Sequence, residues 1–162
     1  MPRPDIKALG VEYRRIPILT IGRDIYHDTR IILAKLERLF PASAAHPSIS
    51  SSKPEQKEIE RLLEYWIIDG GVFTRASQLI PTSMPLLKDP KFTKDRENYT
   101  GRSWDKNAME AVRPEALVDI KGAFAFLEET LLADGRDWIL KTESPTLADI
   151  EGKPYPSRIQ VP

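Results

Sequence analysis

The apolar pattern of this chain changes period at Thr29, and that change restricts the folds open to it more than any other feature. Before it, residues 15 to 21, RIPILTI, and 23 to 27, RDIYH, are short runs of β-favouring residues on either side of Gly22. Gly22-Arg23 has the Gly-X form of a type II′ turn, so the two runs read as an antiparallel hairpin. From Thr29 onward Ile32, Leu33, Leu36, Leu39 and Phe40 fall at i, i+1, i+4, i+7 and i+8. That is one face of an amphipathic helix over 29–39, stopped by Pro41. All the strand signal lies before residue 28.

Residues 41–53, PASAAHPSISSSK, are small, polar and proline-containing, the composition of a connector, and place a domain boundary there. Beyond it Pro54 suits the first turn of a helix, with Ile59, Leu62, Leu63, Trp66 and Ile67 as its apolar face. A second helix follows Gly70-Gly71, carrying Val72, Phe73, Ala76, Leu79 and Ile80 up to Pro81. The polar stretch 82–104, rich in turn formers, reads as irregular with one short helix. From 105 to 133 a longer helix aligns Met109, Val112, Leu117, Ile120, Phe124, Leu127 and Leu131, with Gly135 as its cap and Pro114 as a point where it breaks in two. Trp66, Phe124 and Leu127 belong to the expected buried set. The fold class is therefore mainly α with a small α/β part. It comprises a head over 1–40, a linker over 41–53, an all-helical body over 54–151 and an irregular, three-proline tail over 152–162. A two-stranded ribbon with one helix is marginal in water, so the head needs further strands or another chain.

Charge excludes some function classes. Lys and Arg total 24 and Asp and Glu total 24, which removes the long-range attraction that a nucleic acid or an anionic membrane surface requires. There is no Cys, hence no disulfide framework, thiolate metal site or cysteine nucleophile, and a cytoplasmic location fits. No stretch approaches the roughly 20 apolar residues of a membrane span, and the N-terminus lacks the apolar core of a signal peptide. His27 and His46 have no second ligand at metal spacing and read as surface polar residues, so no metal is expected. Trp66, Trp104 and Trp138 read as core fillers, Tyr26 as a packed strand residue, and Tyr13-Arg14-Arg15 as a solvated approach to the strand rather than an anion patch.

Pro17 interrupts a strand where a trans proline would delete a ladder hydrogen bond, so either the strand is an edge or the Ile16-Pro17 bond is cis. The run Ile16-Pro17-Ile18-Leu19, then Gly22, then Asp28-Thr29 opening an amphipathic helix, resembles the second half of the thioredoxin-like domain of glutathione transferases. A second motif lies at residues 144–151, SPTLADIE, where Thr146 and Asp149 form the S/T-x-x-D capping box that opens a core helix in that family's all-α C-terminal domain. The wording at MPRPDIKALG, DPKFT, TGRSW and LLADGRDWIL is most similar to the fungal members. The resemblance covers about residues 1–151.

The resemblance implies a glutathione site. The backbone of Ile16, ahead of the cis Pro17, would pair with the cysteinyl unit. Thr29 would take the γ-glutamyl carboxylate at the helix N-terminus, and Asp28 would stand near its ammonium group. Read alone, Asp28-Thr29 is more often an ordinary N-cap; only together with Pro17 and the downstream capping box does the ligand-site reading equal it, and Thr146 and Asp149 are structural on either reading. Tyr65, Arg61 and Arg75, on the first two body helices, are candidates for the wall of an electrophile pocket. The strand, helix and second strand that open the family's domain have no counterpart here, and the C-terminal helix does not continue past Ile150. The expectation is thus a chain truncated at its N-terminus and altered at its C-terminus, without the Tyr, Ser or Cys that stabilises the glutathione thiolate, and no catalytic residue is assigned. The implied partners are glutathione as substrate, small electrophiles, and a second copy or a full-length paralogue. The alternative is a non-catalytic binding or interaction protein, or a partial gene product of the same family.

Overall fold

The computed structural model of the 162-residue chain describes residues 4–13, 16–43 and 46–152. Two compact units emerge, Met1–Ser50 and Ser51–Pro162. The first contains a short helix α1 (Pro4–Ala8), strands β1 (Ile18–Ile21) and β2 (Asp24–His27), and helix α2 (Thr29–Leu39). The strands pair antiparallel with Ile18 opposite His27 and Ile21 opposite Asp24. Gly22 turns the chain at φ +60°, a conformation that costs glycine little and explains why the hairpin sits there. The hairpin and the helix thus stand where the change of period puts them, although Arg14 and Arg15 lie outside the described residues. The helix is poorly covered. Of its apolar face only Ile32 is buried, while Leu39 and Phe40 are exposed.

The connector is tied down at both ends. Glu37 of α2 accepts hydrogen bonds from the Ser48 hydroxyl at 2.5 Å and the Ile49 N–H at 3.0 Å. Buried Glu60 accepts from the Ser51 N–H and hydroxyl at 2.9 and 2.6 Å. The division between Ser50 and Ser51 falls between these two anchors.

The second unit is helical: α3 (Pro54–Ile68), α4 (Val72–Gln78), a 3₁₀ turn (Pro85–Lys88), α5 (Pro90–Thr100), α6 (Lys106–Phe126), a π turn (Leu127–Leu131) and α7 (Leu147–Gly152). Helix α3 packs on α7, and α4 packs on α6. Leu63, Leu127, Ile139, Leu140 and Ala148 form the core cluster, with Ile59, Trp66, Leu131 and Leu132 against it. The chain is therefore mainly helical with one small antiparallel ribbon.

Three readings of this region are corrected. The stretch 82–104 is half helix, because Asp89 caps α5 through the Lys91 N–H at 2.9 Å, Pro90 opens it and Gly101 closes it at φ +70°. Pro114 does not break α6. It is exposed, so water can take the Glu110 carbonyl that it deprives of a helical donor. The buried stripe of α6 runs through Met109 and Ala116 and continues to Leu127 at the start of the π turn, with Val112, Ile120 and Ala123 half-buried between them. Leu117 and Phe124 face outward, since the small Ala116 and Ala123 allow the neighbouring helix closer than a large residue would. Likewise Leu62, Phe73 and Ala76 are exposed, whereas Trp66 is half-buried and Trp104 is buried against Phe92 at 6.2 Å. The described part of the tail, Gly152, belongs to α7, and the rest of the tail expected to be irregular, 153–162, lies outside the described residues. Among the described residues no helix is long and apolar enough to cross a membrane.

Candidate functional site

Within the first unit the hairpin register decides which site residues meet. Because Ile18 lies opposite His27, the residues that flank the ribbon there, Ile16-Pro17 on one side and Asp28-Thr29 on the other, stand at the same end of it. The Ile16-Pro17 peptide is cis and Ile16 is 67% exposed. Asp28 is the N-cap of α2 at φ 77°, ψ 125°, a backbone region that non-glycine residues seldom occupy. Its Oδ1 accepts the Arg30 N–H at 3.0 Å, and its Oδ2 receives a long hydrogen bond, 3.5 Å, from the Tyr13 hydroxyl. The Tyr13 ring stacks on His27 with centroids 4.3 Å apart. Thr29 is the first helical residue and is exposed. The four residues are thereby gathered, with Asp28 already serving as a cap. Sequence reasoning missed Tyr13 as a neighbour of Asp28, because a contact across 15 residues leaves no local pattern. Tyr26 is half-buried, its hydroxyl donating to Asp24 at 3.3 Å and its ring facing Lys35 Nζ at 4.9 Å.

The second unit has a cleft of about 630 Å³ between the end of α3, α4 and α6, lined among others by Trp66, Gly71, Arg75, Gln78, Asp119 and Ile120. Of the three pocket candidates only Arg75 lines it. Its Nε contacts Asp119 at 2.6 Å and its Nη2 contacts Glu115 at 2.7 Å, so the guanidinium joins α4 to α6. Hydrogen bonding to Glu115, ahead of the other carboxylate contacts, holds its pKa above the usual arginine value. Tyr65 is 64% exposed and Arg61 is a surface residue 3.9 Å from Glu58. Neither lines the cleft, because both fall on the outer side of α3, away from Leu63 and Trp66. Asp119 was not foreseen, since its role depends on a cation from another helix.

Thr146 and Asp149 open α7 as a buried pair. Asp149 Oδ2 accepts the Thr146 N–H at 2.8 Å, which is the reciprocal half of a capping box. The Thr146 hydroxyl, however, donates to the same oxygen at 3.0 Å instead of accepting from the helix. Asp149 Oδ1 takes the Ile139 N–H at 2.7 Å, joining the helix start to the core loop. Both residues are structural. Among the described residues no cluster of three or more His, Cys, Asp or Glu side chains could hold a metal ion.

Residues 75–154 match the family described as Domain of unknown function (DUF7962). The match begins at the cleft residue Arg75 and takes in α5, α6 and α7. No curated protein and no solved structure matches the chain.

Proposed function

We propose that this chain is a glutathione transferase-like protein of the fungal type, with a thioredoxin-like part at its head and a glutathione transferase-type helical body. Its family reaction joins the glutathione thiolate to an electrophile. The observation that carries the reading is the start of α2. There an acid in a sparsely populated backbone conformation and an exposed hydroxyl stand at a helix N-terminus, beside the Ile16-Pro17 end of the ribbon. The Thr29 hydroxyl and the first N–H groups of α2 suit the γ-glutamyl carboxylate, and Asp28 suits its ammonium group. The Ile16 backbone would hold the cysteinyl unit. The cleft of the second unit has the size of a small-molecule site and is the candidate seat of a small electrophile. A cytoplasmic location, no metal, and pairing with a second copy or a longer paralogue complete the reading.

No described residue is assigned to stabilise the thiolate. The expected behaviour is weak glutathione binding with conjugation near the background rate, since one preorganised donor contributes roughly 3 to 4 kcal/mol to such a transition state. Calorimetric titration with glutathione, together with turnover of a chromogenic aryl halide, tests this. Asp28→Asn keeps an acceptor for the Arg30 N–H but loses the charge, so binding should weaken roughly tenfold while the thermal midpoint stays unchanged. Wild-type protein that binds no glutathione would end the reading, and rapid turnover abolished by Tyr13→Phe would identify Tyr13 as the donor. A non-catalytic binding protein is the second reading. It is favoured by the engagement of the Asp28 carboxylate in capping α2 and by a ribbon whose helix buries one residue, Ile32.

A further inference from the structure

The arginines of the helical body are neutralised unequally. Arg75 has Glu115 and Asp119, Arg96 has Asp95, and Arg136 has Asp134. Arg113 donates to the Leu79 carbonyl at 2.7 Å, just past the end of α4. Arg102, in the turn between α5 and α6, pairs with no carboxylate among the described residues. Its Nη2 donates to the Ser77 hydroxyl oxygen at 2.6 Å, and its Nη1 is buried with no hydrogen-bond partner. The guanidinium is not free to leave this position cheaply. It lies 5.7 Å over the ring of buried Trp104, which is itself fixed by its indole N–H to the Thr100 hydroxyl at 2.8 Å. A buried N–H without an acceptor is destabilising and invites explanation. With a hydroxyl as its one hydrogen-bonding partner among the described residues and a buried N–H left open, the guanidinium has room in its bonding for an anion, and burial first, then the charge of Arg75, draws it below the usual arginine range.

We propose that Ser77 is a phosphorylation site and that Arg102 is the built receptor of its phosphate. A phosphate on Ser77 Oγ would carry about −2 charge and three acceptor oxygens, attached to the atom that Arg102 already contacts. It can offer oxygens to both Nη atoms of a planar fork. The step needs a protein kinase and a nucleoside triphosphate. Ser77 Oγ attacks the γ-phosphorus, the O–P bond forms as the bond to the departing nucleoside diphosphate breaks, and the hydroxyl proton passes to a base of the kinase.

Access is physically reasonable. Ser77 is half-exposed, α4 has only seven residues and none of them is buried, so local opening to a kinase is inexpensive. An anion near the C-terminal end of a helix is opposed by the helix dipole. Here that end is short and is met by Arg102 and Arg113. The modification would fasten α4 to the turn before α6. Since α4 supplies Val72, Thr74, Arg75 and Gln78 to the cleft, one wall of the cleft would be clamped.

The test installs phosphoserine at position 77 of the full chain by genetic-code expansion and follows its second ionisation by phosphorus NMR. A nearby guanidinium favours the dianion, so the folded protein should titrate about one unit lower than the same protein in urea. Arg102→Gln, its fold checked by circular dichroism, should restore the urea value. Comparison of the folded and urea states of the unsubstituted phosphoprotein stands even where that variant unfolds. In parallel, unmodified chain incubated with magnesium ATP and extract of its source cells should carry phosphate on Ser77 by mass spectrometry. Equal titration in the folded and unfolded states, indifference to Arg102→Gln in a folded variant, or phosphate absent from Ser77 overturns the proposal.

Discussion

Asp149 shows how much one side chain can hold. It is 5% exposed and its two oxygens take the N–H groups of Ile139 and Thr146 as well as the Thr146 hydroxyl. Asp149→Ala leaves two buried N–H groups unpaired and should cost roughly 2 to 4 kcal/mol in urea unfolding. Asp134 acts at the surface. Its carboxylate receives Arg136 through two nitrogens at 2.6 and 2.9 Å and Lys141 at 2.8 Å. The Arg136 contact, followed by that of Lys141, holds the carboxyl well below the usual carboxylate range. A carboxylate depressed in the folded state stabilises above its unfolded pKa of about 3.9, and the contribution fades as pH falls further. Asp134→Asn should therefore be less stable than wild type at neutral pH, with the two stability curves converging in acid below about pH 4. Equal separation of the curves at all pH values would show that Asp134 does not act through its charge.

At the scale of elements, α6 carries the clearest testable cost. Pro114 sits nine residues into a helix of 21 residues, where it removes one backbone hydrogen bond. Pro114→Ala restores a donor for the Glu110 carbonyl. An interior proline costs about 3 kcal/mol, partly offset by the stiffness that it lends the unfolded chain, so the variant should gain about 2 kcal/mol in chemical denaturation. No gain would mean that α6 accommodates the proline without loss. Helix α5 teaches the opposite lesson. Asp89-Pro90 stands at its start and Gly101 at its end, signals that the expectation of an irregular stretch did not use, and the polar run between them has no apolar stripe from which a period could be read. Helix α5 is held by its caps and by the packing of Phe92 on Trp104.

At the scale of the whole molecule, the two units differ in what they bury. The described part of the first buries Ile32 alone, whereas the second buries Leu63, Trp104, Met109, Ala116, Leu127, Ile139, Leu140 and Ala148. A ribbon and one helix are marginal without a further layer. Expressed separately, residues 51–162 should keep helical circular dichroism and melt cooperatively, while residues 1–50 should give the narrow proton shift dispersion of an unfolded chain. A folded isolated head would show that the ribbon and α2 suffice alone.

The sequence by itself determined the local elements. Gly22 placed the hairpin, the change of period at Thr29 placed α2, and Pro54, Asp105 and the Thr146–Asp149 pair placed helix starts, because each signal acts within a few residues along the backbone. The acid and hydroxyl of the candidate glutathione site were legible for the same reason. The tertiary structure alone decided which face of each helix is inside. Ala116 and Ala123 instead of Leu117 and Phe124 line the inner side of α6, since close approach of a neighbouring helix favours small residues and no single-helix pattern records that neighbour. It also decided which charges meet. Arg75 joins Asp119 across 44 residues, Tyr13 reaches Asp28 across 15, and Arg102 meets Ser77 across 25. Such contacts are set by the packing of elements that are distant in the chain, and their energies have no counterpart in local sequence.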